Sequence, residues 1–245
     1  MSLKSNIPNT LTVLNLVCGL SSITLILQGN MVFSALFIFL AAIFDFLDGT
    51  AARLLKAHSL MGKELDSLAD VVSFGVAPGV IMFQLLMFHC EGSCNLLERM
   101  YIIPYFAFLI PVCSAIRLAR FNIDIRQEEC FIGMPTPANA MFFASIPLIL
   151  LAQPRLFSII HLDFLVTFFS NSRVLAILTV FFSYLLISDF RLFSIKFKTR
   201  DWERNKVQYI FLILALVFVF LFSVSAIPLI VFLYFLLSLV FQRSL

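Results

Sequence analysis

Apolar runs of bilayer length, separated by short polar stretches, set the pattern of this 245-residue chain. Runs near 11–29, 31–54, 66–89, 101–121, 138–153, 173–190, 207–224 and 226–242 predict eight membrane helices. Most reach the roughly 17–25 residues that a crossing requires. The shortest, 138–153, carries Pro147. Residues 1–10 are polar, include Lys4 and read as a stub at the interface. Within 155–172, Leu156, Ile160, Phe164 and Phe168 recur at helical spacing, while Arg155, His161 and Asp163 interrupt the run. That pattern predicts an amphipathic helix lying on the outer surface. The charged stretch 191–206 holds the only tryptophan, Trp202, and reads as a solvated loop with an interfacial anchor. The last two helices form an apolar hairpin with no ionisable residue inside, for which packing is a sufficient role.

Composition agrees with that reading. Hydrophobic residues make up 61% of the chain and charged residues 13%, with thirty phenylalanines and a mean hydropathy of +1.03. No soluble domain needs so much apolar surface, so the expected fold class is all-α, a polytopic membrane helix bundle. The net charge of +3 carries no signal for nucleic acid. Its distribution carries one for topology. With the N-terminus inside and eight alternating spans, only Arg99, Arg155 and Arg173 fall outside, and every other lysine and arginine faces the cytoplasm. The positive-inside rule therefore predicts both termini inside. Cys90 and Cys94 share an outer loop and are near enough to pair in an oxidising compartment.

The candidate chemistry lies between Asp45 and Asp70. Asp45 and Asp48 close one apolar run, and Asp66 and Asp70 open the next. Charges at membrane depth are costly, so carboxylates there usually face a cavity, an ion or a partner. On a helix, Asp45, Asp48, Gly49 and Ala52 share one face with Arg53 at its border, and Asp66 and Asp70 stand one turn apart. Together the two helix ends bring four anionic donors beside an arginine. Clustered carboxylates repel unless a cation neutralises them, and hard oxygen ligands suit Mg²⁺, Mn²⁺ or Ca²⁺. Gly49 and Ala52 leave a bare floor on which a bulky ligand could lie, the set of parts that phosphoryl chemistry uses. Membrane carboxylates also mark ion pathways, so an ion-coupled transporter is the alternative of a different class. Against it, all four acids gather at one membrane face, and no inverted repeat carries a second broken helix pair.

The eight positions Asp45, Asp48, Gly49, Ala52, Arg53, Gly62, Asp66 and Asp70 match D-x2-D-G-x2-A-R-x8-G-x3-D-x3-D throughout. By that signature the chain resembles the CDP-alcohol phosphatidyltransferases. I-P-N-T-L-T-V-L-N (Ile7–Asn15), E-L-D-S-L-A-D-V-V-S-F-G-V-A-P (Glu64–Pro78), R-L-A-R-F-N (Arg117–Asn122) and F-I-G-M-P-T-P (Phe131–Pro137) are similar to the phosphatidylserine synthase branch of that family. The likeness runs from about residue 6 to 150. Thr136 stands where serine looks commoner, which keeps the hydroxyl.

The resemblance implies a six-helix catalytic core within residues 1–190, followed by the loop 191–206 and the hairpin 207–245. It implies a multi-pass protein of the cytoplasmic membrane, with its site toward the cytoplasm and a homodimeric assembly. The implied reaction moves the phosphatidyl group of CDP-diacylglycerol to L-serine with release of CMP. Glycerol 3-phosphate, an inositol phosphate or choline are the other acceptors such a core could serve. By the same resemblance, Asp45, Asp48 and Asp66 hold Mg²⁺ or Mn²⁺, with Asp70 sharing a metal and acting as general base. Asp48, Gly49, Ala52, Arg53 and Gly62 hold the CDP-diacylglycerol. Arg117 and Arg120 are equally readable as positive-inside anchors or as contacts to phosphate or acceptor, with Thr136 beside them.

Overall fold

The computed structural model describes residues 3–57, 59–90, 102–123, 131–151, 163–192 and 206–241. Helices occupy all eight anticipated segments. In chain order they are α1 (Leu3–Leu27), α2 (Met31–Leu54), α3 (Leu60–Asp70) continuing through a π-helical segment (Val71–Val76) into α4 (Ala77–Cys90), and α5 (Leu109–Ile123), entered by a 3₁₀ turn at Ile103–Phe108. Then come α6 (Thr136–Leu151), the short α7 (Asp163–Phe169), α8 (Ser172–Ile187), α9 (Lys206–Phe222) and α10 (Ala226–Phe241). The expected all-α architecture holds. Among the described residues the only strands are two-residue segments, Phe131–Ile132 paired antiparallel with Arg191–Leu192.

Several boundaries differ from expectation. The interfacial stub at residues 1–10 is helical from Leu3, with Pro8 inside the helix. Proline forfeits one backbone bond there, a loss the chain tolerates near a helix start. α3 begins at Leu60 because Ser59 caps it, its Oγ accepting the Gly62 N–H at 3.0 Å. Of the amphipathic segment expected at 155–172, residues 163–169 form α7, which buries Leu165 and Phe169 and turns by 83° into α8. Residues 155–162, Cys94 and Trp202 lie outside the described residues, so the expected disulfide and anchor do too.

Among the described residues, five helical stretches are long and apolar enough to cross a membrane, and α7 with α8 would make a sixth. One of the five, residues 207–238, doubles back on itself. The rings of Phe211 and Tyr234 are 5.7 Å apart, whereas a straight helix would separate them by about 34 Å. The reversal falls at Ser223, whose φ is 51°. The chain is thus a multi-pass membrane protein, and large side chains such as Phe46, Phe88 and Phe220 point outward to an apolar surround.

α1 is the central packing element, touching α2, α3, the π segment and α4. α6 packs on α2, α4 and α10, and α5 packs on the π segment and α8. The tightest joint is where α1 meets the π segment. A Cβ on Gly19 would stand 2.8 Å from Ser73 Cα and nearer still to Ser73 Oγ, so only glycine permits this approach. Ser73 Oγ then donates to the Asn15 carbonyl at 3.0 Å. The wider π turn sets Ser73 against α1, and π segments are frequent at functional sites.

Gly19→Ala should therefore force the two backbones apart. Overpacking of this kind costs about 1–3 kcal/mol, or a melting temperature lower by roughly 3–10 °C. Gly49→Ala is the control, because a Cβ there meets nothing within 4 Å. Thermal unfolding of both variants in detergent, with Gly19→Ala as stable as the parent, would contradict the close-approach account.

Candidate functional site

The last turns of α2 and the whole of α3 carry the acidic residues, and α1 fixes them. Carboxylate oxygens of Asp45, Asp48 and Asp66 come within 4.8 Å of one another. Asp48 is buried, and its Oδ2 accepts the Thr12 hydroxyl at 2.6 Å. Asp70 is buried too, one turn further along α3, and its Oδ1 accepts the Asn15 side-chain amide at 3.1 Å. Thr12 and Asn15 lie one turn apart on α1, so one face of that helix addresses one acid from each of the two acidic helices. Asp70 stands outside the close trio but within electrostatic reach of Asp45 and Asp66.

The donor set could hold a divalent cation. It is all oxygen, its members are too close to remain charged together unaided, and the buried Asp66 Oδ1 has no hydrogen-bond partner. Such an atom is what a ligand to a hard ion looks like before the ion is counted.

Beside the trio opens a cleft of about 650 Å³. Gly49 and Ala52 form its floor, Asp48 and Asp66 its acidic wall, and Arg53 and Lys63 its basic rim. Arg53 is steadied by Thr50, whose Oγ1 accepts from Nη2 at 3.2 Å, and Lys63 Nζ donates to the Asn122 carbonyl at 3.1 Å. Gly62 sits in the first turn of α3, where a Cβ would press on Asn9 Oδ1 and Ser59 Oγ, each at 3.0 Å. A helix N-terminus with two cationic side chains favours an anion. Cation seat and anion seat thus share one cleft, which suits a metal-bridged diphosphate.

The acceptor-side candidates divide. Arg117 is buried and has Asp70 and Tyr234 as its electrostatic neighbours, with its Nε unpartnered. Arg120 is exposed and donates to the Ile187 carbonyl at 3.0 Å, closing the end of α8. Thr136 is buried at the start of α6. These three do not line the cleft. Gly133, in the turn before α6, has φ 74° and donates to the Phe190 carbonyl at 2.9 Å; α6 starts at Thr136 with Pro137 in its first turn.

Sequence reading missed Thr12, Asn15 and Tyr234 as site neighbours. The first two had a legible signal, polar side chains at i and i+3 in an otherwise apolar helix. Tyr234 corrects the expectation that the last hairpin lacks an ionisable group.

A sequence profile described as CDP-alcohol phosphatidyltransferase matches residues 5–184. The chain is 36% identical over 186 residues to a CDP-diacylglycerol–serine O-phosphatidyltransferase of Bacillus subtilis, covering 74% of this chain and 86% of that one. It is 39% identical over 142 residues to the protein of the same name in Mycobacterium leprae, covering 55% of this chain and 44% of that one. It is 34% identical over 142 residues to an archaetidylserine synthase of Methanothermobacter thermautotrophicus, covering 57% and 56%. The chain thus spans most of the first relative and about half of the other two.

Thr12→Val keeps the side chain's shape and removes the hydroxyl from Asp48. Loss of a hydrogen bond behind a metal ligand typically lowers affinity about 10- to 100-fold. Calorimetric titration of the purified variant with Mn²⁺ should read that loss, and an unchanged affinity would remove Asp48 from the cation seat.

Proposed function

The chain belongs to the CDP-alcohol phosphatidyltransferase family, a family of divalent-metal-dependent transferases, and from that premise we propose that it transfers the phosphatidyl group of CDP-diacylglycerol to L-serine. The single observation that carries the reading is the convergence of Asp45, Asp48 and Asp66, with Asp48 and Asp66 on the wall of a cleft floored by Gly49 and Ala52. Serine as the acceptor draws support from the relatives' names, which share serine while the lipid half differs between them.

In this reading Asp45, Asp48 and Asp66, with Asp70 sharing, hold Mg²⁺ or Mn²⁺, and Ca²⁺ could occupy the same seat. The bound ion would neutralise the diphosphate and ease departure of CMP. The cytidine diphosphate lies over Gly49 and Ala52, where the missing side chains leave room. Arg53 and the α3 N-terminus at Gly62 hold its phosphate oxygens by charge-assisted hydrogen bonds.

Asp70 takes the proton of the serine hydroxyl as the oxygen attacks the lipid-side phosphorus in line. A P–O bond to serine forms, the P–O bond to CMP breaks, and CMP leaves with the bonding pair. No phosphoenzyme is needed. Asn15 donates to one oxygen of Asp70 and thereby aims the other. Arg117, beside Asp70, meets the serine carboxylate. Arg120, whose Nη1 is committed to Ile187, and Thr136 are the further acceptor-side contacts.

The reading places the cleft on the cytoplasmic side of the cell membrane with both termini inside, supported by the lysine and arginine distribution. It takes the assembly as a homodimer, as the family resemblance implies. It treats residues 1–190 as the catalytic unit and 207–245 as an added hairpin.

CMP release from purified protein with CDP-diacylglycerol and Mn²⁺, offering one alcohol at a time, tests the function. Serine alone should support release. Asp70→Asn should lower kcat by about 10²–10⁴, the usual range for a general base. Gly49→Ala, stable by the control above, should raise the KM for CDP-diacylglycerol. Release driven by glycerol 3-phosphate or an inositol phosphate would overturn the acceptor, and no release with any alcohol would overturn the chemistry.

A further inference from the structure

α3 carries Asp66 and Asp70, so whatever fixes its rotation decides where those two acids point. The helix has only 11 residues, and helices below about 12–15 residues are marginal on their own. Its Asp66 also stands within 4.8 Å of Asp45 and Asp48, and like charges at that distance push it away. Lys63, Asp66, Ser67 and Asp70 fall within about 100° of one another around the helix axis, so they share one face. At its C-terminal end this face is tied to α1, where Asp70 Oδ1 accepts from Asn15 at 3.1 Å.

Its N-terminal half is tied to α5. Asn122, in the last turn of α5, donates its side-chain amide to Ser67 Oγ at 3.0 Å. The Ser67 hydroxyl donates in turn to the Lys63 carbonyl at 3.2 Å. Lys63 Nζ then returns to the Asn122 carbonyl at 3.1 Å, which closes a ring of three hydrogen bonds across the two helices. The ring has a direction. With the hydroxyl proton committed to Lys63, Ser67 can meet α5 only as an acceptor, and the amide of Asn122 supplies the donor. The lysine ammonium also satisfies a carbonyl that the end of α5 would leave open, at the negative end of that helix.

The ring stands against the cleft. Lys63 is on its rim, Asp66 in its acidic wall, and Phe121, the neighbour of Asn122, lines it too. Asp66 therefore lies between two ties on one face, Ser67 directly after it and Asp70 one turn on. A helix held at one point can still turn about its axis; held at both ends of one face, it cannot.

We infer that Asn122 is a positioning residue for the cation seat: from the end of α5 its side-chain amide clasps Ser67 and sets the rotation of α3 that brings Asp66 to Asp45 and Asp48. The inference rests on the proposed binding of a divalent ion by those three acids. It gives α5 a part in the cation seat, separate from the acceptor-side part proposed for Arg117.

The test is calorimetric titration of the full chain in detergent with Mn²⁺ alone. Asn122→Leu keeps the size of the side chain and removes the amide, and Ser67→Ala reads the same bond from α3. Removing a group that orients a metal ligand typically lowers affinity about 10- to 100-fold, and each variant should fall within that range. The double variant should bind no more weakly than the weaker single one, because the two residues are halves of one bond. Asp66→Asn should lose the binding. Leu175→Val serves as the control for general stability. Leu175 is fully buried in α8, about 18 Å along that helix from Ile187, where Arg120 grips it. This variant should melt earlier yet bind Mn²⁺ within about twofold of the parent.

Parent-like affinity in Asn122→Leu and Ser67→Ala, beside lost binding in Asp66→Asn, would overturn the inference and leave the cation seat standing. Losses that multiply in the double variant would show two residues acting separately, against it. A fall in Leu175→Val equal to that in Asn122→Leu would make the affinity a readout of overall stability and overturn it as well. Parent-like affinity in Asp66→Asn would overturn the seat and this inference together.

Discussion

Mutual repulsion of three carboxylates in an apolar bundle is the constraint around which this structure is built. Asp45, Asp48 and Asp66 come from two helices that would separate if nothing restrained them. α1 supplies the restraint. Thr12 donates to Asp48 on α2, Asn15 donates to Asp70 on α3, and the Asn15 carbonyl receives Ser73 from the π segment. Gly19 lets α1 approach that segment closely enough for the last of these bonds to form. Three residues on one helix therefore set the spacing of the acids. None of the three is charged, so the restraint adds no further electrostatic cost at membrane depth.

The same geometry separates opposite tasks over a short distance. The inner wall of the cleft is acidic and asks for a cation; the rim, with Arg53, Lys63 and the start of α3, asks for an anion. A ligand carrying both a diphosphate and a bound metal satisfies the two walls together, whereas either component alone leaves one wall unmet. Behind this cleft, Asp70 and Arg117 form a second layer outside the close trio. The layering puts a potential proton acceptor and a positive charge next to the acids.

Much of this was legible in the sequence. The eight apolar runs are long and distinct, so their helices appear where periodicity put them. The acids fall at fixed helical spacings, so their shared face follows from geometry alone. What was not legible depends on tertiary contact. Thr12 and Asn15 could have been ordinary polar residues near a membrane surface until α2 and α3 were placed beside them. The π turn at Val71–Val76, where Gly19 approaches Ser73 across the bundle, has no local sequence cue. The two-residue pairing of Phe131–Ile132 with Arg191–Leu192 is too short to leave a period.

The placement of charge also bears on what kind of work the bundle performs. Beyond Asp70, none of α4, α5, α6, α8, α9 or α10 carries an aspartate or glutamate. An ion path would need polar stations at successive depths, and among the described helices the only acid after Asp70 is Asp163 at the start of α7. A group-transfer site has the opposite requirement. Its lipid substrate keeps its tails among apolar helices while its head group and a water-borne acceptor meet at a single level near one surface. A cleft with both signs of charge at the ends of α2 and α3, above an apolar bundle, meets that requirement. The exposed aromatic and aliphatic side chains of the outer helix faces then have one solvent, the lipid from which the substrate comes.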